Sequence, residues 1–212
     1  MEHAFWFKKW QAKEIGFHLE EANPLLVKHF DALALKRGSR VFLPLCGKTR
    51  DIAWLLSCGY RVAGAELSDI AIEELFQELG VEPEVKDAGK LKHYAAPGID
   101  MFVGDIFDLS AAALGPVDAV YDRAALVALP EAMRADYARH LIAITASAPQ
   151  LLISFEYDQA AMAGPPFAVD ELEVRRHYGE AYCLRCIERT DVVGGLKGIV
   201  AAKECVWLLV QT

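Results

Sequence analysis

Apolar positions along the chain follow two rhythms that take turns. Short continuous runs at 40–45, 60–65, 117–121 and 151–156 have the pattern of strands buried on both faces. Between them, apolar residues fall three and four apart, the spacing of a helix with one buried stripe. Asn23-Pro24 supplies a cap and a proline at the first helical position. It predicts a helix through about Leu35 with the stripe Leu26, Phe30 and Leu33. Thr49 caps a second helix with Ile52, Leu55 and Leu56, stopped by Gly59. Ser68 caps a third with Ile72, Leu75, Phe76 and Leu79, closed by Gly80. Ahead of these, residues 4–13 are predicted helical, with Trp6 and Trp10 on one face.

Past Gly80 the rhythm shortens. Residues 92–95 and 99–103 predict short neighbouring strands, and 117–121 another, followed by Asp122-Arg123 and a short helix. An alanine-rich helix runs from Pro130 to about Ala146, and another spans 170–178. Residues 182–190 and 199–210 predict a final antiparallel hairpin. The stretch 157–169, with Gly164-Pro165-Pro166, is the longest without an element of its own. A loop of that kind at the carboxyl end of a sheet is often a substrate lid.

The repeated strand–helix alternation predicts an α/β fold: a doubly wound, mostly parallel sheet of about seven strands with right-handed crossovers. An antiparallel C-terminal hairpin and an N-terminal helical lid are the additions. The expected organisation is one domain over 1–212, with a helical cover at 1–36 and a Rossmann-like core at 37–212.

Composition narrows the partners. The chain has 212 residues, 54% hydrophobic and 25% charged, which excludes disorder, collagen-like repeats and coiled-coil rods. A chain of this length buries roughly 70% of its surface on folding, so one sizeable core is feasible. The net charge is −8 and basic runs are short, which argues against a nucleic-acid partner. The apolar stretches at 52–67 and 141–155 are broken by Cys58-Gly59-Tyr60-Arg61 and by Pro149-Gln150, short of the roughly 20 residues a membrane span needs. The N-terminus lacks a signal peptide's layout, so the expected location is cytoplasmic. Five scattered cysteines fit buried thiols in a reducing compartment; the one Cys183-x-x-Cys186 pair has no second pair to complete a zinc site, so no metal is expected.

In an open α/β sheet, ligands lie outside the carboxyl ends of the strands. That rule singles out Leu45-Cys46-Gly47, Glu66, Asp105-Ile106 and Asp122-Arg123. Three cofactor classes compete there. Gly47-Lys48-Thr49 matches the end of a triphosphate loop, but Phe42 stands where its first glycine belongs. A dinucleotide turn needs GxGxxG, and this turn has a single glycine. S-adenosyl-L-methionine has no phosphate to cradle and needs an acidic residue about 20 positions on for its ribose hydroxyls. Glu66 lies 19 positions after Gly47. On local pattern alone Glu66 also fits a solvated strand-end carboxylate. Arg123 ends an apolar strand, so a carboxylate must neutralise it: Asp122, Asp105 or one on a ligand. Trp6 and Trp10 fit either ordinary core or a lid over a ligand.

Several motifs, in order and spacing, carry a family resemblance. They are Trp10 followed by Ile15-Gly16-Phe17-His18; Val41-Phe42-Leu43-Pro44-Leu45-Cys46-Gly47-Lys48; and Gly64-Ala65-Glu66-Leu67-Ser68. Further on come Tyr121-Asp122-Arg123-Ala124-Ala125-Leu126, Glu156-Tyr157-Asp158 and Gly164-Pro165-Pro166-Phe167. Along nearly its whole length the chain resembles the thiopurine S-methyltransferase family. The resemblance implies a class I methyltransferase domain whose N-terminal segment closes over S-adenosyl-L-methionine, with S-adenosyl-L-homocysteine as product. By motif match, Trp10, Leu45, Glu66 and Arg123 fall on cofactor contacts, and Asp105 and Ile106 on the pair flanking the adenine. Trp6 lies on the same covering helix. Phe17 matches an aromatic beside the thiol, and Arg123 is expected near the substrate too.

The expected reaction is methylation of a small aromatic or heterocyclic thiol by a monomer, with no catalytic side chain assigned. His18 is the tempting base, but a thiol that ionises readily needs none. Two alternatives stand: methylation of inorganic thiol, selenium or tellurium species, and a non-catalytic nucleotide-binding module of the same fold. The chain departs from longer family members at 192–200, a short glycine-rich stretch whose one cation is Lys197. That departure bears on substrate range.

Overall fold

Local sequence sets where most elements begin. In the computed structural model, which describes residues 3–14 and 19–211, α1 spans His3–Gln11. The Asn23 side chain accepts the Leu25 and Leu26 N–H groups and starts α2, Pro24–His29, with proline at its first position. The helix expected to reach Leu35 stops at His29 and tightens into a 3-10 turn over Phe30–Leu33. Packing decides this: the turn buries Phe30 against Trp54 and Tyr60, at centroid distances of 5.6 and 4.9 Å.

The chain folds into two compact units, residues 2–119 and 120–212. The first carries β1 (Arg40–Pro44), α3 (Arg50–Ser57), β2 (Arg61–Glu66), α4 (Asp69–Leu79), β3 (Glu84–Ala88), β4 (Leu91–Ala96), β5 (Ile99–Val103) and the one-turn α5 (Ala111–Leu114). Its strands run in the order β3-β4-β5-β2-β1. β1 pairs β2, and β2 pairs β5, in parallel; β3–β4 and β4–β5 are antiparallel. As expected, Thr49 caps α3, Ser68 caps α4 and Gly80 closes α4 at φ 68°. β3 was not expected. Its residues are exposed or nearly so, which leaves no apolar alternation to read, and it exists by pairing along β4.

The core of this unit includes Val41, Phe42, Ile52, Leu55, Ile72 and Met101, each fully buried. Gly64 in β2 makes the closest approach: a Cβ there would collide with Met101 Cε and stand 2.9 Å from Cys46 Sγ.

In the second unit, β6 (Ala119–Arg123, starting at the boundary) pairs in parallel with β7 (Gln150–Glu156). Between them lies α6 (Glu131–Ile144). α7 (Glu171–Tyr178), capped by Asp170, precedes the antiparallel hairpin of β8 (Tyr182–Asp191) and β9 (Lys203–Gln211), with β9 paired to β7. The strand order here is β6-β7-β9-β8. Leu151, Leu152, Tyr137, Leu141 and Trp207 are fully buried, and the Trp207 indole N–H donates to Ser154 Oγ at 3.1 Å. The expected α/β architecture and C-terminal hairpin are therefore present, with nine strands in place of about seven among the described residues. No helix among those residues is long and apolar enough to cross a membrane.

Candidate functional site

Parallel pairing brings three strand ends of the first unit side by side. The Cys46 N–H donates to the Ala65 carbonyl at 3.1 Å, and the Gly104 N–H to the Glu66 carbonyl at 2.9 Å. The chain beyond β1, the end of β2 and the chain beyond β5 thus form one edge, holding Leu45, Glu66 and Asp105. Beyond β1 the backbone turns sharply, with Leu45 at φ 45° and Gly47 at φ 54°. Leu45, a non-glycine in the left-handed region, is a point of backbone strain.

Glu66 organises this edge. It is 6% exposed; its Oε2 accepts the Gly47 N–H at 2.8 Å and its Oε1 the Ser68 N–H at 3.0 Å. Burial raises its carboxyl above the ordinary value, while the N–H groups of Ser68, Gly47 and Leu67 pull it down. An ionised carboxylate offers about four acceptor positions. Each oxygen, after its backbone bond, can still accept a hydroxyl, so the group suits a vicinal diol.

The same contacts exclude a phosphate. A triphosphate loop needs the Gly47 N–H and the Lys48 ammonium free to point at the ligand. Here the N–H is bound to a carboxylate, which would repel an anion. Lys48 Nζ is held by Glu74 and Glu78 on α4, at 2.7 Å each. Neither glutamate was singled out in the sequence, although their spacing of four on one predicted helix face was the available signal. Burial, reinforced by the Glu66 charge, pushes the Cys46 thiol well up, which disfavours the thiolate.

Asp105 Oδ1 accepts the Phe107 N–H at 3.0 Å and caps the 3-10 turn Ile106–Asp108, which fixes the backbone beyond β5. Ile106 is buried there. On α1, which lies against α4, Trp10 is 4% exposed and Trp6 half-buried. Phe17 and His18 lie outside the described residues.

In the second unit, Arg123 ends β6. Asp122, which sequence offered as its counter-charge, is engaged elsewhere: Oδ2 accepts the Tyr137 hydroxyl at 2.7 Å and Oδ1 the Leu126 N–H at 3.1 Å. Burial pushes the Asp122 carboxyl up to about 6, against those donors. Within this unit Glu204 on β9 feels the Arg123 charge, which lowers its carboxyl against a larger rise from burial. Sequence missed Glu204 because 81 positions separate the two, and only the sheet brings them together. All five cysteines are free, Cys183 and Cys186 both on β8.

Three comparisons bear on these features. A family model described as thiopurine S-methyltransferase matches residues 1–211. A thiopurine S-methyltransferase of Xanthobacter autotrophicus is 61% identical over 210 residues, covering 99% of each chain. One from Teredinibacter turnerae is 54% identical over 209 residues, covering 99% of this chain and 97% of its own. Among solved structures, the chain resembles an S-adenosylmethionine-dependent methyltransferase from Anabaena variabilis, with TM-score 0.66 and 14% identity, covering 99% of this chain and 94% of that one. It also resembles a 1,6-didemethyltoxoflavin-N1-methyltransferase from Burkholderia thailandensis, solved with 1,6-didemethyltoxoflavin and S-adenosylhomocysteine bound. That match has TM-score 0.65 and 16% identity, covering 99% of this chain and 87% of that one. At such identities the solved structures speak for the fold.

Proposed function

The chain belongs to the thiopurine S-methyltransferase family, and we propose that it transfers a methyl group from S-adenosyl-L-methionine to the sulfur of an aromatic or heterocyclic thiol. The observation that carries this reading is the Glu66 carboxylate, bonded to the Gly47 and Ser68 N–H groups at the end of β2. It turns the glycine turn from a phosphate cradle into a diol acceptor, as a cofactor with ribose hydroxyls and no phosphate requires.

On this reading Glu66 accepts both hydroxyls. Asp105 and Ile106 flank the adenine, with Ile106 presenting apolar surface on a turn that Asp105 holds. Leu45 lines the edge beyond β1, and Trp10 with Trp6 covers the ligand from α1. Arg123 takes a carboxylate of the cofactor and borders the substrate, and Phe17 stands beside the thiol. These roles come from the motif match, and the buried state of Trp10, Glu66 and Ile106 supports the first-unit part of it.

When bound, the cofactor supplies a sulfonium-activated methyl group and leaves as S-adenosyl-L-homocysteine. The thiol reacts as its thiolate, having lost its proton to solvent, so the chain needs to align sulfur and methyl and exclude water rather than act as base. Aromatic faces such as Trp10 also favour a cationic sulfonium.

The test is a panel of aromatic thiols, inorganic thiols and selenols with methyl-labelled cofactor. Transfer to aromatic thiols is expected, with the pH midpoint of kcat/KM moving with each thiol's own pKa. A single midpoint shared by all thiols points to a base on the protein, such as His18. Transfer only to inorganic acceptors, or cofactor binding without turnover, would replace the substrate assignment.

A further inference from the structure

The stretch expected to be free of structure, 157–169, is held in place along its length. It leaves the end of β7, and parallel pairing puts that end on the same side as Arg123 at the end of β6. Near its exit, Val169 N–H donates to the Phe155 carbonyl at 2.8 Å and Phe167 N–H to the Val127 carbonyl at 2.6 Å. The Phe167 ring lies between the Arg134 guanidinium, 5.4 Å from its centroid, and Gly164, where a Cβ would meet the ring at 2.6 Å. The Tyr157 hydroxyl donates to the Pro166 carbonyl at 2.7 Å. These anchors come from β7, α6, the connection between β6 and α6, and the loop's own neighbours.

One polar tie comes from elsewhere. Lys197, in the connection between β8 and β9, donates its ammonium to the Pro165 carbonyl at 2.7 Å. Beneath it, Leu196 and Ala202 of that connection pack with Met162 of the loop, against Phe155, Tyr157 and Val200. The backbone around Lys197 adds a second, independent observation. Gly194, Gly195 and Gly198 take positive φ of 77°, 78° and 67°, as glycine does at little cost. Lys197, among them, is a non-glycine at φ 54°. A side chain there costs free energy that a fourth glycine would not, and the tie to Pro165 is a contact that offsets it.

We propose that Lys197 is a specificity-determining positioning residue: by fastening the β8–β9 connection to Pro165, it fixes the 157–169 loop in the pose that admits the thiol acceptor. The proposal rests on the thiol-methyltransferase reading above and on the loop's departure from the end of β7, the strand paired in parallel with the β6 strand that Arg123 ends. Lys197 acts through the loop and touches no reacting atom. The short glycine-rich connection follows from the same geometry. Its turn brings a lysine back to the loop, and lengthening it would release the tie and change which thiols fit.

The test compares Lys197→Gly with Lys197→Arg. Glycine suits the backbone at φ 54°, so Lys197→Gly removes the tie without adding backbone strain, with the fold checked by circular dichroism. The tie is exposed, so the expected result is a thiol KM raised about three- to fivefold. Cofactor affinity and kcat stay within about twofold, and Lys197→Arg, which keeps a donor, restores KM. Amide hydrogen exchange across 157–169 should speed up about three- to fivefold in Lys197→Gly alone. A thiol KM and an exchange rate both unchanged in Lys197→Gly would overturn the proposal, as would an equal loss in Lys197→Arg. If the wild type methylates no thiol, the reading under test in the panel falls; faster loop exchange in Lys197→Gly would then still establish the tie, and unchanged exchange would remove it.

Discussion

Glu66 and Asp122 stand at the ends of two strands, one in each unit, and both are buried carboxylates raised by that burial. Their surroundings separate them. Glu66 is bonded by main-chain N–H groups on both oxygens and keeps acceptor capacity to spare. Asp122 gives one oxygen to the Tyr137 hydroxyl and so belongs to the interior of its own unit. The contrast extends further. The first unit shapes its strand ends largely with backbone, the Leu45–Gly47 turn and the Ser68 N–H, with Asp105 as a side-chain cap. The second adds side-chain ties to the main-chain bonds of its loop: Arg134 on Glu173 and Phe167, Tyr157 on Pro166, Lys197 on Pro165. A surface built from backbone keeps its shape when neighbouring side chains change. One that also leans on side chains can be altered one residue at a time.

The sharpest way to break the side-chain half is Arg134→Ala. Arg134 is 3% exposed, donates to both Glu173 oxygens at 2.7 and 2.8 Å, and reaches the Leu129 and Ala168 carbonyls. Burial alone would raise the Glu173 carboxyl, yet His177 and Arg134 hold it below its ordinary value. Removing the guanidinium leaves Glu173 with His177 and should cost about 3 kcal/mol, read as a fall in unfolding free energy in urea. A loss under about 1 kcal/mol would mean that the loop does not depend on this network.

A smaller effect sharpens the carboxylate comparison. The Asp122 carboxyl is raised from 3.8 to about 6 in the folded state, so the folded protein holds that proton more tightly than the unfolded chain. Its contribution therefore favours folding at low pH, declines as pH rises from about 4 to about 6, and is constant above that window. Asp122→Asn should flatten this part of the stability–pH curve. The difference from wild type across the window is on the order of 2–3 kcal/mol. Parallel curves for the two proteins between about pH 4 and 6 would show that Asp122 does not titrate there.

What the sequence revealed follows the same division. The caps at Asn23, Thr49 and Ser68 were legible because a cap is a contact between near neighbours. Asp170 marked the start of its helix to within a residue. Glu66 was legible by its distance from Gly47, although the bond between them was not. β3 was hidden because an exposed edge strand carries no apolar pattern, and the early end of α2 because packing of Phe30 overrode a good helical stripe. The order in 157–169 was hidden for a third reason. Its anchors Arg134 and Lys197 lie 34 and 32 positions from their acceptors, and nothing local announces either contact.

The central claim is that the Glu66 carboxylate makes the first unit's strand ends a diol site. Calorimetric titration of S-adenosyl-L-methionine into wild type and Glu66→Gln tests it most directly. Glutamine keeps the side chain's length and removes the charge, and its amide nitrogen faces a backbone N–H where an acceptor stood. With the fold intact by circular dichroism, affinity should fall by roughly 1.5–3 kcal/mol, the scale of charge-assisted hydrogen bonds. An affinity within twofold of wild type would contradict the claim and leave Glu66 as a carboxylate that only braces its own turn.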